Sequence, residues 1–269
     1  AVGGCTPPPP ATRPPPPKNN PVVKVESPPA PVPPLAPPEP PADCAAAAVR
    51  GSIEFCGQTV STATRHVACH RPFEVRTAPL ACLPELRSVT LRGTHVARLD
   101  GLRGLRHLAR LNLSHTNVMR LEPLGALPAL RELALDATSA VDLSPLATSP
   151  RLEKLRLRKC ASIDWSTLAS LRQLKDLDLT DSYVDDLRSL AGHPHLATLR
   201  IPDTVTDLAP LKTVSSLHAL EIHRLYAPYT HGGDDPWAGR RRQILDGIGA
   251  LTQLRQLSLF ELSSRAWRR

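Results

Sequence analysis

Leu86, Leu108, Leu130, Leu152, Leu174 and Leu196 stand 22 residues apart in succession, and Leu217 follows after 21. A period of this length constrains the architecture before any local reading does, because each period must be one structural unit. With these leucines as position 1, the unit reads L-x-x-L-x-L-x-x-T-x-V-x-x-L-x-x-L-x-x-L. The stretch LARLNLSHTNVMRLEPLGALPA, from Leu108, fits it throughout. Positions 4 and 6 are apolar and separated by polar residues, which is the alternation of a strand. The pairs Val89/Leu91, Leu111/Leu113, Leu133/Leu135, Leu155/Leu157, Leu177/Leu179, Leu199/Ile201 and Leu220/Ile222 are therefore expected to point inward. One strand per unit cannot cover its own apolar face, but stacked units share a continuous core. The pattern has seven apolar positions, and burying a leucine contributes about 1.5–3 kcal/mol. Stacking must hold such a chain together. An aromatic content of 3% fits a core filled with leucine.

This unit resembles the leucine-rich repeat family, in the short bacterial form found in internalin-like and lipoprotein-type proteins. The resemblance implies an α/β-type repeat solenoid with a parallel concave β-sheet and short turns or 3₁₀ segments on the convex side. The repeat domain is expected over residues 64–265. It opens with a degenerate unit that places Cys69 at position 6, and closes with Leu254, Leu257, Leu259 and Leu262. Residues 44–63, containing SIEFCGQTVS, resemble the cap that such domains need where an end coil would expose core. Position 9 departs from the family's usual Asn and holds Thr94, Thr116, Thr138, Cys160, Ser182 and Thr204. Hydroxyl and thiol groups there are expected to bond backbone, which makes Cys160 a buried structural residue. Cys44 and Cys56 could pair in an oxidising compartment, with Cys69 and Cys82 as further candidates. Spacing leaves the pairing open.

The chain begins differently. Val2-Gly3-Gly4-Cys5 resembles the lipobox of bacterial lipoproteins, which implies a lipidated thiol at Cys5 within a remnant covering residues 1–6. Eighteen of the 30 prolines fall between Pro7 and Pro41. Residues 7–43 therefore read as a disordered stalk of polyproline II character, about 100 Å long at full reach. Together these features imply a bacterial envelope protein attached by lipid, at the outer membrane or cell surface. The alternative is an unanchored secreted or cytosolic effector or scaffold.

In this family positions 3, 5, 7 and 8 are expected to face out of the concave sheet. The charged candidates for ligand contact are then Arg110, Asp136, Lys154, Arg156, Arg158, Asp176, Asp178, Arg200 and Glu221. The basic row Lys154, Arg156, Arg158 and Lys159 lies beside the acidic row Asp176, Asp178 and Asp181. Such rows either neutralise each other across neighbouring strands or orient a charged partner. A second candidate is the insertion at 225–242, which interrupts the repeat and holds Tyr226, Tyr229 and Trp237, three of nine aromatics. Tyr, Trp and Arg dominate interface hot spots.

The function implied is binding of a protein, or a glycan, on the concave face. A net charge of +8 suggests nucleic acid, but residues 1–85, 86–225 and 226–269 contribute +1, +4 and +3. That spread argues against a nucleic-acid footprint. No phosphate loop, GxSxG, HExxH or paired CxxC is present. No enzyme, cofactor or metal is expected, and contact with a membrane is expected only through the lipid.

Overall fold

The computed structural model of the chain describes residues 43–260, apart from 71–72, 126, 141, 185, 203 and 224–237. Residues 7–42 of the stalk, Cys5, Tyr226, Tyr229, Trp237 and Leu262 lie outside the described residues, while Asp43 opens the first helix.

The strands form where positions 3–5 of each unit predict them. They are β3 (His66–Ala68), β4 (Ser88–Thr90), β5 (Arg110–Asn112), β6 (Glu132–Ala134), β7 (Lys154–Arg156), β8 (Asp176–Asp178), β9 (Thr198–Pro202), β10 (Ala219–His223) and β11 (Gln256–Phe260). Among the described residues these nine make one parallel sheet in sequence order. The register is strict: Leu111 pairs with Leu133, Leu133 with Leu155, and Leu155 with Leu177. Each position therefore forms a column through the stack. The column at position 4 is 2% exposed or less from Val89 to Leu220.

Opposite the sheet, each coil returns through a short 3₁₀ segment, such as Glu122–Leu124, Ser144–Thr148 and Ala209–Thr213. Pro123, Pro145 and Pro210 sit in the first turn of these segments, where the missing N–H costs nothing. The coil before β11 is longer, and its return is the α-helix α2 (Ala238–Gly249). It buries Ile244 in the core. A Cβ at Gly247 would stand 3.1 Å from the Leu208 Cβ, so the glycine lets this helix approach closely.

Position 9 does the expected work in two ways. Thr94, Thr116 and Thr138 donate Oγ1 to the carbonyls of Leu91, Leu113 and Leu135 in their own coils, at 2.6, 2.6 and 2.8 Å. Ser182 reaches the Leu157 carbonyl of the preceding coil and accepts the Cys160 N–H at 3.0 Å. The Cys160 thiol donates to the Leu135 carbonyl at 3.4 Å.

Position 8 corrects the sequence reading. Gly93, His115, Ala137, Lys159 and Asp181 all have φ between 50° and 74°. These residues are the left-handed corner at which the chain leaves the strand, so position 8 is not a further concave-face position. The N–H groups of Gly93, His115, Ala137 and Lys159 donate to the next coil, as His115 does to the Asp136 carbonyl at 2.7 Å.

The cap is a helix, α1 (Asp43–Arg50), followed by the antiparallel hairpin β1 (Ser52–Phe55) and β2 (Gln58–Ser61). Ala47, Ile53 and Phe55 cover the end of the core. The disulfides are Cys44–Cys82 and Cys56–Cys69. Cys44 does not pair with Cys56, because α1 lies against the first 3₁₀ segment, which carries Cys82, while Cys56 at the hairpin tip reaches Cys69 just after β3.

Candidate interaction surface on the concave face

The columns at positions 3 and 5 project from the sheet toward solvent. Ser88, Arg110, Glu132, Lys154 and Asp176 form one, and Thr90, Asn112, Ala134, Arg156, Asp178 and Arg200 the other. A shallow groove of about 380 Å³ runs across β4–β9, with Ala134 in its lining. Five of the predicted residues line it: Arg110, Lys154, Arg156, Asp176 and Arg200. Ser88 and Thr90 line it too, one repeat before the first one singled out from sequence. The same positional rule, applied to that repeat, finds them.

The remaining charged candidates act differently. Asp136 is 8% exposed and Asp178 7%. Asp136 accepts from the Arg156 guanidinium, from Ser114 Oγ at 3.1 Å and from the Arg158 N–H at 3.1 Å. Asp178 accepts both the N–H and the hydroxyl of Thr180, at 3.0 and 2.6 Å. These carboxylates lie beneath the surface and brace it.

Pairing does not run from the basic row to the acidic row beside it. Lys154 turns back to Glu132 at 3.4 Å and Arg156 turns back to Asp136. Only Arg158 leans forward, toward Asp178 at 3.9 Å. Asp176 is taken by Arg200 at 2.7 Å, and Arg200 also holds Glu221 at 3.1 Å. Burial works against the charge on Arg200, yet Asp176, Glu221 and Asp178 hold its guanidinium above its ordinary pKa. Arg110 is exposed and has no acidic partner among the described residues.

Among the described residues, no group of three or more His, Cys, Asp or Glu could hold a metal ion. Burial pushes the Cys160 thiol pKa up, with Asp136 adding to it, so this thiol is poorly suited to nucleophilic chemistry. No helix among the described residues is long and apolar enough to cross a membrane.

No family model and no curated protein matches the chain. Solved structures do. Internalin C2 (inlC2) of Listeria monocytogenes aligns with a TM-score of 0.58 and 22% identity, over 76% of this chain and 86% of its own. An internalin (inlF) of the same organism aligns with a TM-score of 0.54 and 21% identity, over 76% of this chain and 64% of its own. The fold shared is the leucine-rich repeat solenoid of the internalin type.

Proposed function

We propose that this chain is a binding module that receives a protein partner on the concave groove across β4–β9, outside the cytosol, and that Cys5 carries a lipid anchor. The observation that supports it best is the state of the groove's charges. Lys154, Arg156 and Arg200 are held in place by carboxylates of the sheet itself. Arg110 stands beside them unpaired among the described residues. A partner can therefore dock on a surface already ordered, which lowers the entropy lost on binding. Ser88, Thr90 and Asn112 add hydrogen-bonding groups to the lining, and no aromatic ring is part of it. That composition favours a protein surface over the stacked sugar of a glycan.

Two disulfides in the cap suit an oxidising compartment, which favours an envelope or secreted protein over a cytosolic effector. The chemistry of the site is recognition; no group in it is poised for bond making.

Arg110 is the residue on which to test the groove. Reversing Arg156 or Arg158 would strip partners from the buried Asp136 and Asp178, and lost binding would then mean lost fold. A photo-crosslinker at Asn112 should capture a partner protein in intact cells, and Arg110→Glu should abolish the adduct while leaving circular dichroism unchanged. An adduct that survives Arg110→Glu rules the groove out. For the anchor, a palmitate analogue should label the protein in its own cells and fail to label Cys5→Ser.

A further inference from the structure

The chain's positive charge is concentrated once it is divided by coil. Residues 64–131 hold 11 arginines, no lysine and four acidic residues, a net of +7. Residues 132–224 hold 11 basic and 13 acidic residues, a net of −2. The first three coils and the opening of the fourth therefore carry the repeat's excess, and carry it as arginine; residues 225–269 add a further +3.

Position 13 lies one or two residues before the 3₁₀ segment of each coil. In the later coils it is Asp142, Asp164 and Asp186, and Asp207 is its equivalent at position 12 of the 21-residue coil that opens at Leu196. Each of these carboxylates accepts the backbone N–H two residues on, at 2.7, 3.0, 2.7 and 2.8 Å. This is an Asx turn that starts the convex segment. In the first three coils the same position is Arg76, Arg98 and Arg120, all exposed. An arginine cannot accept that bond, so these coils forgo a local structural device that the rest of the solenoid uses. Thr77 Oγ1 donates to the Arg98 carbonyl at 3.0 Å, which places the first coil directly against the second. At about 4.8 Å per coil, the three guanidiniums root along a line of about 10 Å.

A groove of about 600 Å³ lies between the second and third coils on this flank. Arg98, Arg103 and Arg120 line it over an apolar floor of Leu99, Pro123 and Met119, the last 63% exposed. Arg98 meets Asp100 at 2.9 Å with its side chain 85% exposed. Arg76 and Arg120 have no acidic partner among the described residues. Guanidinium forks match carboxylates in pairs of hydrogen bonds.

We propose that the Arg76–Arg98–Arg120 row and its groove form a second docking surface, for an acidic peptide segment that also carries apolar side chains. Three arginines against Asp100 and Glu122 leave the lining a net charge of +1, with Asp100 paired to Arg98 and Arg103, which suits spaced carboxylates better than a continuous polyanion. The apolar floor offers nothing to a phosphate or sulfate backbone. A peptide alternating Glu with Leu satisfies both. This surface is separate from the concave groove and does not rest on the function proposed above.

The test uses the substitution the fold itself uses. Arg76→Asp/Arg98→Asp/Arg120→Asp restores the Asx-turn residue of the later coils, so the variant should fold and melt no lower than the parent. Fluorescence anisotropy with a fluorescein-labelled peptide of alternating Glu and Leu should show salt-sensitive binding. The triple variant should weaken it about tenfold or more. Arg110→Glu, on the concave face, should leave it within about twofold. A Glu–Ser peptide, oligothymidylate and a sulfated oligosaccharide should all bind more weakly than the Glu–Leu peptide. Unchanged binding by the triple variant, loss of binding in Arg110→Glu, or tighter binding of any of the three comparison ligands would each overturn the proposal.

Discussion

His193 shows how much one residue can cost in a repetitive core. It occupies position 20 of its coil, where Leu105, Leu127 and Leu171 stand in others. It is 2% exposed, and neither ring nitrogen completes a hydrogen bond. Burial pushes its pKa below the usual value; the Leu171 carbonyl offsets this in part, and Arg172 and His195 add to it. Above the unfolded-state value of about 6.5 the ring is neutral in both states and the fold keeps its full stability. As the pH falls through and below that value the unfolded chain takes a proton that the folded one resists, so stability falls. His193→Leu should flatten this loss in urea titrations run between about pH 7 and pH 5. It should also raise stability by about 1–3 kcal/mol by removing unsatisfied polar atoms. A pH profile unchanged by the substitution would show that the ring is not the cause. The left-handed corner is a residue-scale feature that the sequence hides. Glycine marks it only at Gly93, while His115, Ala137 and Lys159 adopt the same φ with a backbone hydrogen bond to the next coil holding them there.

At the scale of elements, the strands were legible because positions 4 and 6 alternate with polar residues and one face must be buried. The role of the outward residues was less so. Position tells which way Asp136 and Asp178 point, but not that Arg156 and Thr180 would close over them. The pairing of the cap cysteines was illegible for a similar reason, since it depends on where α1 and the β1–β2 hairpin dock. Those two bridges span 38 and 13 residues of sequence, and bridges of such size are typically worth about 2–4 kcal/mol each. Their effect should be local, because each coil of a solenoid contacts only its neighbours. Reduction should therefore loosen the cap and the first coil before the centre. Hydrogen exchange after dithiothreitol treatment should quicken over residues 43–70 while amides of β6–β8 remain protected. Uniform loss of protection would show instead that the cap holds the whole stack.

For the whole molecule, the same side chain is worth different amounts along the stack. Leu177 and Leu257 both occupy position 4 of their coils and both lie on parallel strands of one sheet. Leu177 is fully buried, because β7 and its coil cover one side and β9 and its coil the other. Leu257 is 42% exposed and Leu259 43%, because β11 pairs only with β10 among the described residues. A cavity at Leu177 removes contacts from three coils and interrupts a column that is continuous from Val89 to Leu220. Leu177→Ala should therefore cost about 2–5 kcal/mol, the range for a buried leucine. Leu257→Ala loses only part of that contact and should cost about 1 kcal/mol or less. Chemical denaturation of the two variants, compared with the parent, measures the difference directly. Equal losses would mean that β11 is covered as fully as β8, and that the stack does not weaken toward that end.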